Sequence, residues 1–285
     1  MQLNAFFPTL DIGSDAAKIR DWAQAAEDLG YAYIEVPDHV FGATARDGWV
    51  PLYSEKDAFH ETFVTLGFLA AITKNIRLSS GILIAPQRQT GLIAKQSAEV
   101  DLLSGGRLRL GIGIGWNHVE YEALGAEWKT RGARQAEQVE VLRRLWSGNL
   151  VSFSGRFHHL KDVNILPPPV QRPIPIWFGG ASDAAVERAA RIGDGWMPIM
   201  PPDAQAEQKL GLLREQLTSF GRDPAKFGIE GWLRMRDPDP QRWGAAAEGW
   251  RRLGADMVML YPMYRVQRFD EQIETLRRFK EVASK

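Results

Sequence analysis

The sequence predicts an α/β fold, a (β/α)8 TIM barrel with insertions at the C-terminal mouth. Three observations carry the prediction. Short apolar, β-branched runs alternate with longer amphipathic segments along the chain, the pattern of parallel βαβ units. Eight strand-like and eight helix-like segments follow one another. The 285 residues fall within the span of about 250–300 that eight βα units need.

Leu3–Pro8 reads as the first strand. Ser14 then caps a helix that keeps Ile19, Trp22, Ala26 and Leu29 on one face until Gly30 stops it. Ala32–Val36 is the second strand, Phe59–Thr73 the second helix and Ile76–Ile84 the third strand. Gly91–Leu103 is the third helix and Leu108–Ile114 the fourth strand, and each strand is bounded by Gly, Pro or Asn. Arg131–Trp146 forms a fourth helix, and Leu150–Val170 behind it reads as a hairpin-bearing insertion. Pro167, Pro168 and Pro169 near its end mark a loop, not a domain boundary. Strands at Ile174–Phe178, Gly195–Ile199, Phe227–Met235 and Asp256–Tyr261 then alternate with helices at Ser182–Ile192, Ala204–Phe220, Gln241–Leu253 and Phe269–Val282. The rival architecture, an open doubly wound sheet, uses fewer units and a Gly-rich turn after the first strand. This chain has Pro8-Thr9-Leu10-Asp11 there.

A chain 45% hydrophobic and 25% charged is ordinary for a folded protein, and residues 1–285 are read as a single domain. Thirty-five basic residues against thirty-five acidic ones give a net charge of zero, so nothing calls for a nucleic acid or an anionic membrane as partner. Any anion must be held locally. The absence of cysteine excludes disulfides, thiolate-bound zinc, iron–sulfur clusters and a catalytic thiol. No basic segment precedes the apolar run Met1–Pro8, and no later stretch approaches the ~20 apolar residues that span a bilayer. The expectation is a soluble, cytoplasmic protein.

A TIM barrel carries its chemistry at the C-terminal ends of the strands. That rule selects Thr9, Asp38 with His39, Ile82–Ala85, Gly113–Trp116, Gly179–Ser182, Met197–Met200, Arg234 and Tyr261–Tyr264. Asp38-His39 closes the second strand as a candidate acid/base pair, the carboxylate fixing the imidazole's tautomer or raising its pKa. Asp38 as a cap beside a structural His39 is the competing reading, and the strand-end position favours function. His60, at the start of the second helix, reads as a packing or capping residue. Asp38, His39 and His60 would be the minimum set for a metal hydrolase, but they lack H-x-H or H-E-x-x-H spacing. His118, His158 and His159 fall in insertions, where exposure is expected.

Gly111-Ile112-Gly113-Ile114-Gly115-Trp116 is not the dinucleotide fingerprint, because it ends the fourth strand and does not lead straight into a helix. Its glycines either let a flat ring approach the strand, with Trp116 as a wall, or serve tight packing inside the barrel. Gly179-Gly180-Ala181-Ser182 either offers backbone N–H groups and a helix N-terminus to a phosphate or is a tight βα loop. Asp183 in the first turn would repel such an anion unless it faces outward. Gly81-Ile82 inside the third strand suggests a bulge.

With these pieces in place, nearly the whole chain resembles the bacterial luciferase-like monooxygenase superfamily, and within it the deazaflavin-dependent (coenzyme F420) oxidoreductases. The resemblance rests on Asp38-His39, on Ser80-Gly81-Ile82-Leu83, and on Asp101–Arg107 leading into Leu110–Trp116. It rests also on Gly179–Ser182 and on Ala190–Trp196, with its Gly-Asp-Gly-Trp. It implies a ring lying against a bulged third strand with a cis peptide at Gly81-Ile82. It further implies a phosphate near Gly179, Gly180, Ala181 and Ser182, and His39 near the reactive centre. Asp38, Gly113, Ile114, Gly115 and Trp116 complete the implied site, with Asp38 and His39 as its catalytic pair.

One departure stands out. Sugar-phosphate dehydrogenases of the deazaflavin group carry a glutamate as proton donor where this chain has Trp116. Glu120 takes that part only if its loop brings it back to the site. The resemblance implies hydride transfer with coenzyme F420, or alternatively monooxygenation with flavin mononucleotide (FMN) and oxygen. A flavin-binding relative without turnover is a third reading. The resemblance also suggests a homodimer, for which the second and third helices offer Phe63, Phe68, Leu69, Leu92, Ile93 and Val100. Phe41, Trp49, Tyr53, Trp196, Tyr261 and Tyr264 hint at an apolar or aromatic small-molecule substrate.

Overall fold

The computed structural model describes residues 1–46, 48–263, 265, 266 and 268–284. In chain order the first half comprises β1 (Gln2–Phe6), α1 (Ala16–Asp28), β2 (Tyr33–Val36), α2 (Thr62–Ile72), β3 (Arg77–Ile84), α3 (Thr90–Leu103) and β4 (Leu108–Gly113). Next come α4 (His118–Ala123), α5 (Arg131–Leu145), β5 (Val151–Ser154), β6 (His159–Val163), β7 (Ile176–Gly179), α6 (Asp183–Ile192) and β8 (Gly195–Met197). The chain then continues with α7 (Ala204–Ser219), β9 (Gly228–Met235), α8 (Pro240–Arg252), β10 (Met257–Pro262) and α9 (Phe269–Ala283).

Eight strands close into a barrel in the order β1-β10-β9-β8-β7-β4-β3-β2, and neighbours run parallel. The predicted barrel is therefore the observed one. Outward-facing Ile34, Leu78, Leu110 and Val258 are buried beneath the helices, which return apolar faces such as Ile19, Trp22, Ala23 and Ala26 of α1. Inside the barrel, strand register brings Glu35, Ser79 and Arg109 to one level. There the Arg109 guanidinium lies 3.1 Å from Glu35 and 2.7 Å from Glu230, between the rings of Tyr33 and Trp177. Trp177, Met197, Trp232, Met259 and Tyr261 pack together on the inner face. The predicted hairpin is the antiparallel pair β5–β6.

Local departures from the sequence expectation have local causes. Asp15, not Ser14, caps α1, accepting from the Ala17 amide. The second helix starts at Thr62, because Glu61 caps it through the Val64 amide while the His60 amide is tied to Thr9. β8 ends at Met197, where Pro198 has no N–H to donate to the ladder. α4 was not anticipated. His158 is largely covered instead of exposed: Nδ1 sits 2.7 Å from Glu137 and Nε2 2.6 Å from the Thr90 hydroxyl, pinning the hairpin to the barrel. Phe63, Leu69, Ile93 and Val100 are buried against the barrel, whereas Val64, Phe68 and Leu92 are exposed. Among the described residues no helix is long and apolar enough to cross a membrane.

Candidate active site

The C-terminal ends of the barrel strands surround a cavity of about 460 Å³. Asp38, His39, Gly81, Ile82, Ile114, Gly115, Trp116, Gly179 and Gly180 line it, together with Phe6, Tyr53, Phe59, Ile199, Trp232, Arg234 and Tyr261. Gly113, Ala181 and Ser182, also expected at the site, do not line it. Tyr264 lies outside the described residues.

His39 follows β2 and stands among the rings of Tyr53, Phe59 and Trp116, with centroids 5.3, 4.7 and 5.6 Å away. Its Nδ1 lies 3.0 Å from Oε2 of Glu120. The other Glu120 oxygen accepts from the amides of Val40 and Phe41. Burial pushes the Glu120 carboxyl up, but His39 and the two amides outweigh it and hold it below the usual carboxylate range. A carboxylate at Nδ1 makes that nitrogen the donor. Nε2 has no partner among the described residues.

The loop thus brings Glu120 back, on α4. Asn117 caps that helix by accepting from the Glu120 amide. The signal was in the sequence: Asn117-His118-Val119-Glu120 has capping-box spacing.

Asp38 does not pair with His39. Its carboxylate accepts from the Thr62 hydroxyl at 3.0 Å, the Ile84 amide at 2.9 Å and the Arg88 guanidinium at 2.6 Å. Burial works against the Arg88 charge, and Asp38 with Glu61 more than offsets it. Asp38 therefore ties β2 to the end of β3 and to Arg88, a residue the motif reading did not single out. His60 is turned elsewhere, with Nε2 3.0 Å from the Gly13 carbonyl. Among the described residues no group of three His, Asp or Glu stands close enough to hold a metal ion.

The strand-end glycines act through Ile82. β3 shifts register between Ser80 and Leu83, and the Gly81–Ile82 peptide is cis. A Cβ on Gly113 would meet Ile82 Cδ1 at 2.2 Å, and one on Gly179 would meet the same atom at 2.6 Å. Packing is what these two glycines provide directly: they seat the Ile82 side chain in the wall. In the loop after β7, the Gly180 amide is used by the Met197 carbonyl and the Ser182 hydroxyl caps α6. Asp183 faces outward and pairs with Lys209. Trp196 is not at the mouth; it is fully buried and donates to the Gly180 carbonyl.

Solved structures share this architecture. A monooxygenase, RslO1 from Streptomyces bottropensis, superposes with a TM-score of 0.82 at 24% identity, covering 99% of this chain and 98% of that one. An F420-dependent secondary alcohol dehydrogenase bound to an F420-acetone adduct gives 0.79 at 20% identity, covering 99% and 97%. Two uncharacterized proteins, from Mycobacterium bovis and Mycobacterium tuberculosis, are each 36% identical over 182 residues, 61% of this chain. The matched region spans 62% of the length of those relatives. Residues 2–284 match the luciferase-like monooxygenase family, and the chain belongs to that family.

Proposed function

We propose that this protein is a coenzyme F420-dependent oxidoreductase that moves a hydride between the deazaflavin and a small organic substrate. The observation that carries this reading is His39, held by buried Glu120, with Nε2 unpartnered beside an apolar cavity. The cavity suits a planar three-ring group. Its 460 Å³ volume is in the range of pockets for ligands of that size, about 300–1,000 Å³. Ile82, Trp116, Ile199 and Trp232 give it flat apolar walls, and Trp232 Nε1 is a buried donor with no acceptor among the described residues.

Bound coenzyme F420 supplies a two-electron hydride carrier, whereas FMN in the same place supplies a flavin that reacts with oxygen. The protein's own part is proton handling and positioning. His39 Nε2 takes a proton from a substrate hydroxyl, or returns it to a carbonyl oxygen, and Glu120 stabilises the charged imidazole. Asp38, with both carboxylate oxygens committed, positions Arg88 and the end of β3 and does not itself carry protons. Gly81, Ile82, Ile114, Gly115 and Trp116 line the cavity and would hold the ring, with Gly113 acting through Ile82. In the loop after β7 only Gly179 and Gly180 line the cavity, and a cofactor phosphate would sit beside those two residues. Monooxygenation with FMN is the second reading, favoured by the likeness to RslO1.

Titration of the apo-protein with coenzyme F420 and separately with FMN, followed by quenching of Trp116 and Trp232, separates the readings. Preference for the deazaflavin supports hydride transfer. Preference for FMN turns the assignment to a monooxygenase, and binding of neither overturns both. We infer in addition a homodimer through the exposed Val64, Phe68 and Leu92 of α2 and α3. Sedimentation velocity tests it: a monomer at micromolar concentration refutes it.

A further inference from the structure

We propose that Arg234 is an anion subsite of the cavity, so that the ligand reacting at His39, or the cofactor beside it, carries a carboxylate or phosphate held at the end of β9. This rests on the cavity being the active site.

The strand period fixes where Arg234 sits. Leu233 packs in the outer core and Trp232 in the inner cluster, so Arg234, two residues beyond Trp232, continues the inner face up into the mouth. It lines both the cavity and an adjoining groove of about 690 Å³ floored by Ile199, Met200 and Pro202 and shared with Arg236 and Arg242. Arg242 is paired with Asp237. Among the described residues, Arg234 and Arg236 have no carboxylate partner. Among the described residues, Asp38 and Glu61 pair with Arg88, Glu120 with His39, and Asp11 and Asp57 with Arg265.

Arg234 therefore stands beside apolar walls with its guanidinium free of any ion pair among the described residues. Its field reaches the Tyr53 hydroxyl: burial pushes that group up to about 12, Arg234 pulls against the rise and Asp57 adds to it. Tyr53 in turn packs on His39, with ring centroids 5.3 Å apart. Barrel order separates β9 from β2 by β10 and β1, so Arg234 and His39 line the cavity from different walls. A ligand spanning them presents its reacting oxygen to His39 and its anion to Arg234. A guanidinium matches a planar carboxylate or a phosphate with two parallel hydrogen bonds.

The test is binding, read by tryptophan quenching, for wild type, Arg234→Gln and Arg234→Lys. Two ligand pairs are used: the cofactor that wild type binds against its phosphate-free core (coenzyme F420 against its 5-deazariboflavin core, or FMN against riboflavin), and benzoate against benzyl alcohol, the second pair with and without bound cofactor. Arg234→Gln should weaken the anionic member of a pair by about tenfold or more and leave the neutral member unchanged, with partial recovery in Arg234→Lys. Loss confined to the phosphorylated cofactor assigns the anion to the cofactor; loss confined to benzoate assigns it to the substrate. An anionic-to-neutral affinity ratio that is the same in wild type and Arg234→Gln for both pairs overturns the subsite. If neither coenzyme F420 nor FMN binds wild type, the proposed function fails, and the benzoate pair on the apo-protein still decides Arg234.

Discussion

Three donors converge on the buried Glu120 carboxylate: His39 Nδ1 and the amides of Val40 and Phe41. Neutralising that carboxylate takes away the charge its three donors share and frees the imidazole to change tautomer. Under the proposed chemistry, His39→Ala should lower kcat by about 10²–10⁴-fold while cofactor affinity stays within a few-fold. Full turnover in that variant would remove His39 from the mechanism. Glu120→Gln should also destabilise the fold, by about 1.5–3 kcal/mol at neutral pH. Because the folded carboxyl titrates below its ordinary value of about 4.3, its contribution is complete above that pH and is lost as pH falls through the folded value. The gap in melting temperature between wild type and Glu120→Gln should therefore be flat from pH 8 to about pH 5 and close in more acidic solution. A gap that persists unchanged to pH 3 would contradict the charge-based account.

Between elements, β3 and its neighbours share one space: the Ile82 side chain occupies what side chains at Gly113 and Gly179 would fill. Gly113→Ala should push Ile82 toward the cavity, cost about 1–3 kcal/mol by overpacking, and weaken binding of the ring. Ile82→Ala made alongside should restore much of both, which a double-mutant cycle on melting temperature and cofactor affinity measures. Additive losses would mean the two residues do not compete for space. The same elements mark how far the sequence could be read. Short apolar, β-branched runs alternating with amphipathic segments identify the eight barrel strands and their helices, because the strands lie buried beneath the helices and each helix has one buried stripe. Strand ends then selected His39, Trp116 and Arg234. What the pattern did not carry was pairing. Asp38 and His39 are adjacent in sequence, yet one binds Arg88 and the other Glu120, partners 50 and 81 residues away that only the closed barrel brings near. Nor did alternating glycines reveal whether a ring or Ile82 fills the space beside them.

At the scale of the whole barrel, its interior holds an ionic cluster beneath the cavity floor, where a Cβ on Gly81 would lie 2.8 Å from Oε2 of Glu35. Arg109 serves both Glu35 and Glu230, and one positive charge does not balance two negative ones. Burial, then the neighbouring Glu230 carboxylate, holds Glu35 well above the usual carboxylate range, against the pull of Arg109 and Asn4. A proton held by Glu35 would balance the cluster. Arg109→Met would leave two carboxyl groups without their cation and should cost about 3–5 kcal/mol. Glu35→Gln is the gentler probe. Its carbonyl keeps the hydrogen bonds from Asn4 and Arg109, and its amide N–H takes the role of the proton toward Glu230. A carboxyl raised by folding contributes stability that is complete below its unfolded value, about 4.3, and is lost as pH rises through the folded value. Wild type should therefore lose stability relative to Glu35→Gln as the pH is raised above about 5, and urea midpoints across that range measure the difference. A difference independent of pH would mean that Glu35 is ionised throughout and that the barrel tolerates the unbalanced charge.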